Sequence, residues 1–288
     1  MEPTVLKLVL RNFRSYQALS LNFSSRFVVF YGRNGSGKTN ILEAVSLFSS
    51  GKGLRKATMQ DFINFKTKSA LWSTDLVISK NEYKTFLSTT AINGRRVAKI
   101  DGDTASSLSS MEDFLWLLWV TPGMNNLFIE AKSERRHFFD HLVSGFSPRY
   151  KAQLKKVTAL QKERLGVLSF RRDENWLNIL EQQIAEESLT ITKTRMDFLK
   201  VLHATFKEYE SDFLRPQVRI LGAIENIVEN HSEENAILEI ADALKSSRQD
   251  DFEKQATNLS VHKTSWLAYH PRNQFEAENC STGENKAF

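Results

Sequence analysis

The sequence predicts an α/β fold with a mixed sheet and an inserted helical lobe, and three observations lead to this prediction. An apolar run at residues 27–31 leads directly into a glycine-rich loop and then into a helix. Short runs typical of strands fill residues 70–100, and helical periodicity extends from residue 133 to about residue 213. Glycine (12 of 288 residues) and proline (5) are scarce against averages of about 7% and 5%, which disfavours a turn-dense all-β sandwich.

The first elements are a pair of short strands and a buried strand. Apolar and polar residues alternate at residues 5–10 and 19–23, which predicts two strands joined by the polar turn at residues 11–15. The continuous apolar run at residues 27–31 suits a strand that is buried on both faces. Behind the loop that follows, apolar residues recur at helical spacing: Ile41, Leu42, Ala44, Val45, Leu47 and Phe48. The order is therefore strand, glycine loop, helix.

Residues 70–100 predict a β-meander at the edge of the first sheet. Apolar runs occupy residues 70–72, 76–78 and 85–87, and Asn93-Gly94 is a tight-turn signal. The apolar residues around Trp116 and Trp119 predict a further buried strand rather than a platform for stacking bases.

Two long helices follow. Ser133 is a candidate N-cap, and Ser147-Pro148 predicts a second helix with proline at its first position. Apolar residues at 154, 157, 160 and 168 mark one face of that helix, and the polar residues 171–175 predict its turn. Residues 176–213 predict a partner helix, so the two form an antiparallel arm. We accordingly divide the chain into a lobe with the glycine loop and the meander (1–132), a helical lobe (133–220) and an incomplete return to the first lobe (221–288).

The net charge of +5 is the sum of opposed blocks. Residues 1–60 hold nine Lys/Arg and two Asp/Glu, and residues 131–172 hold eleven and three. Residues 173–262 hold nine basic and eighteen acidic residues. Two basic blocks favour a face that attracts a polyanion, and the competing interpretation is a solvated helix surface.

The glycine loop matches G-x-x-x-x-G-K-[ST] without a mismatch, and we call it the phosphate loop (residues 32–39). Glycines let successive backbone N–H groups point at a phosphate, and the start of the following helix adds partial positive charge. Lys38 supplies a mobile cation to the β- and γ-phosphate oxygens, and the Thr39 hydroxyl would join the shell of a Mg²⁺ ion. Six further residues complete the loop: Gly32, Arg33, Asn34, Gly35, Ser36 and Gly37. The loop predicts that the chain binds ATP or GTP with Mg²⁺.

Composition excludes several classes of protein. A single cysteine, Cys280, cannot form an internal disulfide and indicates a reducing compartment. The longest unbroken apolar run, residues 114–120, is far shorter than the ~20 residues of a membrane helix, and the amino terminus lacks the apolar core of a signal peptide. We therefore expect a cytoplasmic protein that does not enter a membrane.

Motifs along almost the whole chain resemble the RecF family of bacterial recombinational repair proteins. Residues 12–16 (NFRSY) and 35–44 (GSGKTNILEA) lie around the phosphate loop, and residues 51–55 (GKGLR) follow its helix. Residues 133–140 (SERRHFFD) are similar to the stretch in which the family carries two arginines, aromatic residues and an aspartate. Residues 280–284 (CSTGE) are similar to the signature motif of this branch of ABC-type ATPases.

The resemblance implies a P-loop ABC-type ATPase head related to SMC proteins, which forms a homodimer around two ATP molecules. Ser281 and Gly283 would contact the γ-phosphate held by the partner's loop, and Asn40 would join the cofactor site. The family is involved in DNA replication, repair and the SOS response. It recognises duplex DNA beside a single-strand gap and, with RecR and RecO, helps to load RecA. Four residues are weaker candidates for contacts with nucleotide, DNA or a partner: Arg14, Arg55, Arg135 and Arg136.

The sequence also departs from the family pattern. A hydrolysing site of this type needs an apolar strand that ends in Asp-Glu, and the 288 residues contain none. Residues 237–242 come nearest, but an internal glutamate and their place before the signature argue against them. The sequence therefore predicts a carboxy-terminally shortened family member, from a frameshifted or decaying gene, that hydrolyses ATP slowly or not at all.

Two alternatives to a DNA-repair ATPase remain open at this point. One is an ATP-gated DNA-binding module without turnover, which ATP-dependent dimerisation without hydrolysis would favour. The other is the nucleotide-binding subunit of a transporter, which shares the loop and the signature. The helical arm and the basic blocks disfavour the transporter, because such a subunit docks on membrane helices.

Overall fold

The computed structural model describes residues 3–67, 71–92, 94–170, 173–208, 214–281 and 283. The chain divides into two compact units, one within residues 1–119 and one within residues 120–288. Among the helices of these described segments, none is both long enough and apolar enough to cross a membrane.

The first unit is built on a six-stranded sheet. Its strands are β1 (Thr4–Phe13), β2 (Tyr16–Asn22), β3 (Ser73–Lys80), β4 (Tyr83–Ile92), β5 (Arg95–Ile100) and β6 (Asp103–Thr104). Their order is β2-β1-β3-β4-β5-β6, and each of these neighbouring pairs is antiparallel. The predicted meander is confirmed as β3–β5, and the predicted strand pair as β1 and β2. Of the predicted Asn93-Gly94 turn, Asn93 lies outside the described residues, and Gly94 has a φ of 71° that suits a tight turn.

One α-helix, α1 (Lys38–Ser46), packs against this sheet. Ile41 and Ala44 on α1 are buried in the same core as Leu8 and Leu10 of β1. Three buried aromatic side chains close the core below the β1–β2 turn, with ring centroids 5.7 Å apart for Phe13 and Phe62 and 5.2 Å apart for Phe62 and Trp72. This packing fixes the turn that lies beside the phosphate loop.

Two predicted strands are absent from the positions at which we expected them. Residues 27–31 are not a strand, and Phe27, Val29 and Tyr31 are 83–92% exposed. An apolar run becomes a buried strand only where other strands flank it, and no strand of the described segments pairs with these residues. Residues 114–120 are likewise not a strand, because Leu115 is buried in the first core while Val120 is 77% exposed.

The second unit is mainly helical. It contains α2 (Lys132–Phe146), α3 (Tyr150–Phe170), α4 (Glu174–Glu208), α5 (Ala223–Asn230), α6 (Glu233–Ser246) and α7 (Arg248–Lys254). Ion pairing between Lys156 and Glu187 (2.6 Å) and a hydrogen bond between Trp176 and Glu163 (3.1 Å) show that α3 and α4 are antiparallel. Arg171 and Arg172 of the predicted turn, and residues 209–213 of the predicted second helix, lie outside the described residues.

Both predicted helix starts are displaced by a few residues. Ala131, not Ser133, is the N-cap of α2, and Ser133 lies within its first turn. Ser147 ends α2, and α3 begins at Tyr150 rather than at Pro148. The amide of Tyr150 donates to the carbonyl of Ser147 (3.1 Å), so a tight turn separates the two helices.

A two-stranded antiparallel sheet of β7 (Gln217–Leu221) and β8 (Ser265–Tyr269) completes the second unit. Trp266 of β8 stacks on Phe139 of α2, with ring centroids 5.4 Å apart, in the centre of the helical core. Residues 237–242 belong to α6 and do not form an apolar strand.

Candidate nucleotide-binding site

The phosphate loop forms a sharp bend that only glycine accommodates easily. Gly32, Gly35 and Gly37 have φ values of 145°, 82° and 93°, in the region that L-residues with a side chain rarely adopt. Gly37 is the N-cap of α1, so the loop leads directly to the positive end of a helix. A Cβ atom built on Gly37 would lie 2.5 Å from the hydroxyl oxygen of Tyr16. The β1–β2 turn therefore packs against the loop so closely that position 37 has no room for a side chain.

Lys38 lies over the loop. Its ammonium group donates to the carbonyl oxygens of Gly32 and Arg33, both at 2.8 Å, and approaches the hydroxyl of Ser36 at 3.5 Å. The loop residues from Gly32 to Ser36, together with Thr39, are exposed to solvent. Lys38 and Thr39, the predicted cation and the predicted hydroxyl, thus lie side by side at the accessible start of α1.

The loop is also tied to the segments before and after it. Asn40 donates to the hydroxyl of Ser15 (2.8 Å) and accepts from the guanidinium of Arg55 (3.0 Å). The Tyr16 hydroxyl donates to the carbonyl of Ser36 (3.3 Å). Asn40 therefore joins three segments that are far apart in the sequence, and it can position the loop as well as contact a ligand.

Arg14 and Arg55 meet on one buried carboxylate, that of Glu43 in α1. Arg14 binds Glu43 with two nitrogens at 2.6 and 2.9 Å, and Arg55 approaches the same group at 3.3 Å. Glu43 is fully buried, so its charge needs these partners. Sequence reasoning missed Glu43, although an acid among the apolar positions of α1 is the signal that could have revealed it. The role of both arginines toward DNA or a partner stays a prediction.

The remaining predicted residues lie in the second unit. Ser281 and Gly283 are exposed, while Thr282 and Glu284 of the signature lie outside the described residues. Arg135 is 5% exposed and donates to the carbonyl of Phe128 (2.8 Å), with Glu278 at 3.4 Å. The contact with DNA or a partner that the sequence predicts for Arg135 and Arg136 stays a prediction. Arg136 is half-buried, and its burial lowers its pKa.

A buried polar cluster links several elements of the second unit, and sequence reasoning did not identify it. We call it the Arg195 cluster: Arg195, Asp140, Tyr150, Glu225 and Thr264. Arg195 is fully buried and donates to Tyr150 (2.7 Å), Asp140 (2.8 Å) and Thr264 (2.8 Å). The Tyr150 hydroxyl donates to Asp140 at 2.5 Å, and burial raises the pKa of Tyr150. The cluster fixes α2, α3, α4 and the segment before β8 to one another.

Comparison with known proteins gives a consistent result. Residues 4–121 match the model of the RecF/RecN/SMC N terminal domain. The chain is 32% identical to the DNA replication and repair protein RecF of Rickettsia canadensis, over 98% of this chain and 78% of that protein. It is also 32% identical to the RecF protein of Rickettsia bellii, with the same coverage.

Solved structures show the same fold. The recombination mediator protein RecF–ATP in the RecFOR pathway matches with a TM-score of 0.84 at 21% identity, over 99% of this chain and 78% of that one. The Smc head domain of Pyrococcus furiosus matches with a TM-score of 0.52 at 15% identity, over 99% of this chain and 77% of that one. The predicted α/β fold of an ABC-type ATPase head is confirmed.

Proposed function

Because this chain belongs to the RecF family of DNA replication and repair proteins, we propose that it binds ATP at the phosphate loop and binds gapped DNA in an ATP-dependent manner. The single observation that supports the proposal most strongly is the geometry of the loop. Three glycines with positive φ, a lysine over the loop and a helix start behind it match what phosphate binding requires.

Different groups of the loop would bind different parts of the nucleotide. Lys38 would leave the carbonyl oxygens of Gly32 and Arg33 and neutralise the β- and γ-phosphate oxygens, while backbone N–H groups at the start of α1 bind the β-phosphate. The hydroxyl of Thr39 is an oxygen ligand of the kind that Mg²⁺ prefers, and it is exposed at the helix start. Bound Mg²⁺ would supply neutralisation of phosphate charge.

We further propose that ATP joins two copies of the chain. Ser281 and Gly283 are exposed, which leaves them accessible to the γ-phosphate held by a second copy. Such a homodimer makes ATP the link between subunits. The dimer would then form on duplex DNA beside a single-strand gap, where RecR, RecO and RecA are the proposed partners.

The charge pattern supports DNA as the polyanion. Residues 131–172 hold eleven basic residues against three acidic ones, and α2 and α3 of the second unit lie within this block. Contacts between Lys or Arg and phosphate need no base recognition and make affinity depend steeply on salt. This suits a protein that recognises a gap rather than a sequence.

The second candidate function is an ATP-gated DNA-binding module without turnover. Residues 237–242, which come nearest to an apolar strand ending in Asp-Glu, lie in helix α6. A transporter subunit is disfavoured by the basic helical lobe.

The test is binding to a gapped duplex, measured by fluorescence anisotropy with and without ATP and Mg²⁺, at several salt concentrations. The proposal expects tighter binding with ATP and a steep loss of affinity with salt. Lys38→Ala should remove the ATP effect, whereas Lys80→Ala, at the exposed end of β3, should not. ATP-independent binding by the wild-type chain would contradict the proposal. Release of phosphate from ATP by the wild-type chain, if Lys38→Ala abolishes it, would exclude the candidate function without hydrolysis.

A further inference from the structure

A basic cavity of about 310 Å³ lies in the second unit, and neither Ser281 nor Gly283 lines it. It is formed by α2, by the first turns of α3 and by the short helical turn Val261–Lys263. We call it the histidine cavity. Five of its lining residues have basic side chains: Arg136, His137, His141, Lys151 and His262.

The geometry of α2 explains why these groups converge. His137 and His141 are four residues apart, so they lie on neighbouring turns of one helix face. The opposite side of α2 is buried through Phe139 and Val143, which directs the cavity residues away from the core. Lys151 reaches the same cavity from the first turn of α3.

His262 is held in a defined orientation at the cavity wall. Its Nε2 atom lies 2.9 Å from the hydroxyl of Thr158, and its backbone amide donates to the hydroxyl of Ser260 (3.1 Å). Burial lowers the pKa of His262. Arg136 and Lys151 supply fixed positive charge to the cavity, and the imidazole of His262 serves as a hydrogen-bonding group.

One acidic residue, Asp140, also lines the cavity, but buried donors compensate the charge of its carboxylate. The carboxylate accepts from the buried guanidinium of Arg195 (2.8 Å) and from the hydroxyl of Tyr150 (2.5 Å). Only 13% of its side chain is exposed. The field inside the cavity is consequently set by its cations, which favours an anionic ligand.

The mixture of histidines and an aspartate raises the question of a metal ion. In the parts of the chain that the structure describes, no three His, Cys, Asp or Glu side chains are grouped as metal ligands would be. Arg136 and Lys151 beside the imidazoles would also repel a cation. A phosphate group, which accepts hydrogen bonds from guanidinium, ammonium and imidazole, fits this set of donors better.

We propose that the histidine cavity binds a phosphate of the DNA backbone and thereby anchors the duplex on the helical lobe. This inference rests on the proposed function, since it assigns one contact of the DNA that the chain is proposed to bind. Six of the seven lining residues belong to the most basic block of the sequence, residues 131–172, which supplies the surrounding attraction for a polyanion. The contact is to the backbone and gives no preference for base sequence.

The first experiment compares salt dependence. The double variant Arg136→Gln/Lys151→Gln is matched by Lys200→Gln/Lys254→Gln, which removes the same charge from the exposed, ion-paired lysines of α4 and α7. Loss of one phosphate contact should reduce the slope of log K against log salt concentration by about 0.9 and weaken binding of a gapped duplex several-fold. The control pair should keep the wild-type slope.

The second experiment identifies the ligand by NMR of histidine-labelled protein. The imidazole resonances of His137 and His141 should shift when the gapped duplex is added in the presence of ATP and Mg²⁺. Shifts with inorganic phosphate or ADP but not with the duplex would overturn the proposal, because they indicate a small-anion site. His141→Gln should keep the fold and reduce duplex binding less than the double variant does.

The outcomes separate this inference from the proposed function. If the wild-type chain does not bind the gapped duplex, the proposed function fails and the inference fails with it. If the wild-type chain binds but the cavity variant keeps the wild-type affinity and slope, the inference alone is overturned.

Discussion

Arg195 lies in the middle of α4, and its replacement by methionine is the perturbation for which the structure gives the largest expected effect. The guanidinium is fully buried and serves two carboxylates, with Asp140 at 2.8 Å and Glu225 at 3.5 Å. It also donates to the carbonyl of Val261 (3.0 Å) and to the hydroxyl of Thr264 (2.8 Å). Methionine fills much of the volume but removes the buried cation from these acceptors, and the hydroxyls of Tyr150 and Thr264 are the donors that remain to Asp140 (2.5 Å) and Glu225 (2.6 Å).

The cost follows from the burial of the acids that remain. The side chains of Asp140 and Glu225 are only 13% and 3% exposed, so water cannot replace the lost cation. Removing one partner from a buried ion pair costs about 3 to 5 kcal/mol, because an uncompensated charge stays in the interior. We expect a loss in this range. Lys193, also on α4, forms a largely exposed ion pair with Glu233 of α6, so Lys193→Met should cost less than about 1 kcal/mol.

The assay is equilibrium unfolding in urea, with hydrogen exchange of α4 and β8 peptides read by mass spectrometry to assign the loss to the second unit. Arg195→Met should shift the midpoint strongly and accelerate exchange in both peptides. The reasoning is refuted if Arg195→Met and Lys193→Met have equal stability, since burial would then not distinguish the two ion pairs.

Three further predictions concern other parts of the molecule. Gly37→Ala should lower ATP affinity at least about tenfold, because a residue with a side chain pays about 1 to 2 kcal/mol for a positive φ and the new Cβ would overlap Tyr16. Gly51→Ala should bind ATP normally in the same titration, because a Cβ at Gly51 meets no atom within 4 Å. Glu43→Gln should destabilise the first unit by about 2 to 3 kcal/mol in urea unfolding, because it removes the shared carboxylate of two arginines. Burial lowers the pKa of His262, so this imidazole takes up a proton at a higher pH in the unfolded chain than in the folded chain. The free energy of unfolding should therefore fall as the pH drops through about 6.5, the ordinary pKa of histidine. Unfolding measured at pH 7.5 and pH 5.5 should show a smaller fall for His262→Gln than for the wild-type chain.

Local patterns were sufficient to predict much of the fold. The phosphate loop before α1, the meander of β3–β5 and the helical hairpin of α3 and α4 all follow from spacing, glycine placement and periodicity within short windows. Residues 27–31 show the limit of such patterns. Their apolar run matches a buried strand, but pairing depends on flanking strands that no local window contains.

The candidate site shows the same division. The loop residues could be named because the motif is contiguous, whereas Glu43 was missed because its two arginine partners lie 29 and 12 residues away. The histidine cavity needs His262 beside α2, and no sequence rule places a residue more than 100 positions away on a given helix. Long-range side-chain contacts are set by packing, which the sequence specifies only through the whole fold.

The central claim is that the phosphate loop binds ATP through Lys38. The most direct measurement is the ATP dissociation constant by calorimetry for the wild-type chain, for Lys38→Ala and for Lys80→Ala as the matched control. We predict saturable binding by the wild-type and Lys80→Ala proteins, and at least about tenfold weaker binding by Lys38→Ala, which corresponds to about 1.4 kcal/mol. Equal affinity of Lys38→Ala and the wild-type chain, or no binding by either, would contradict the account.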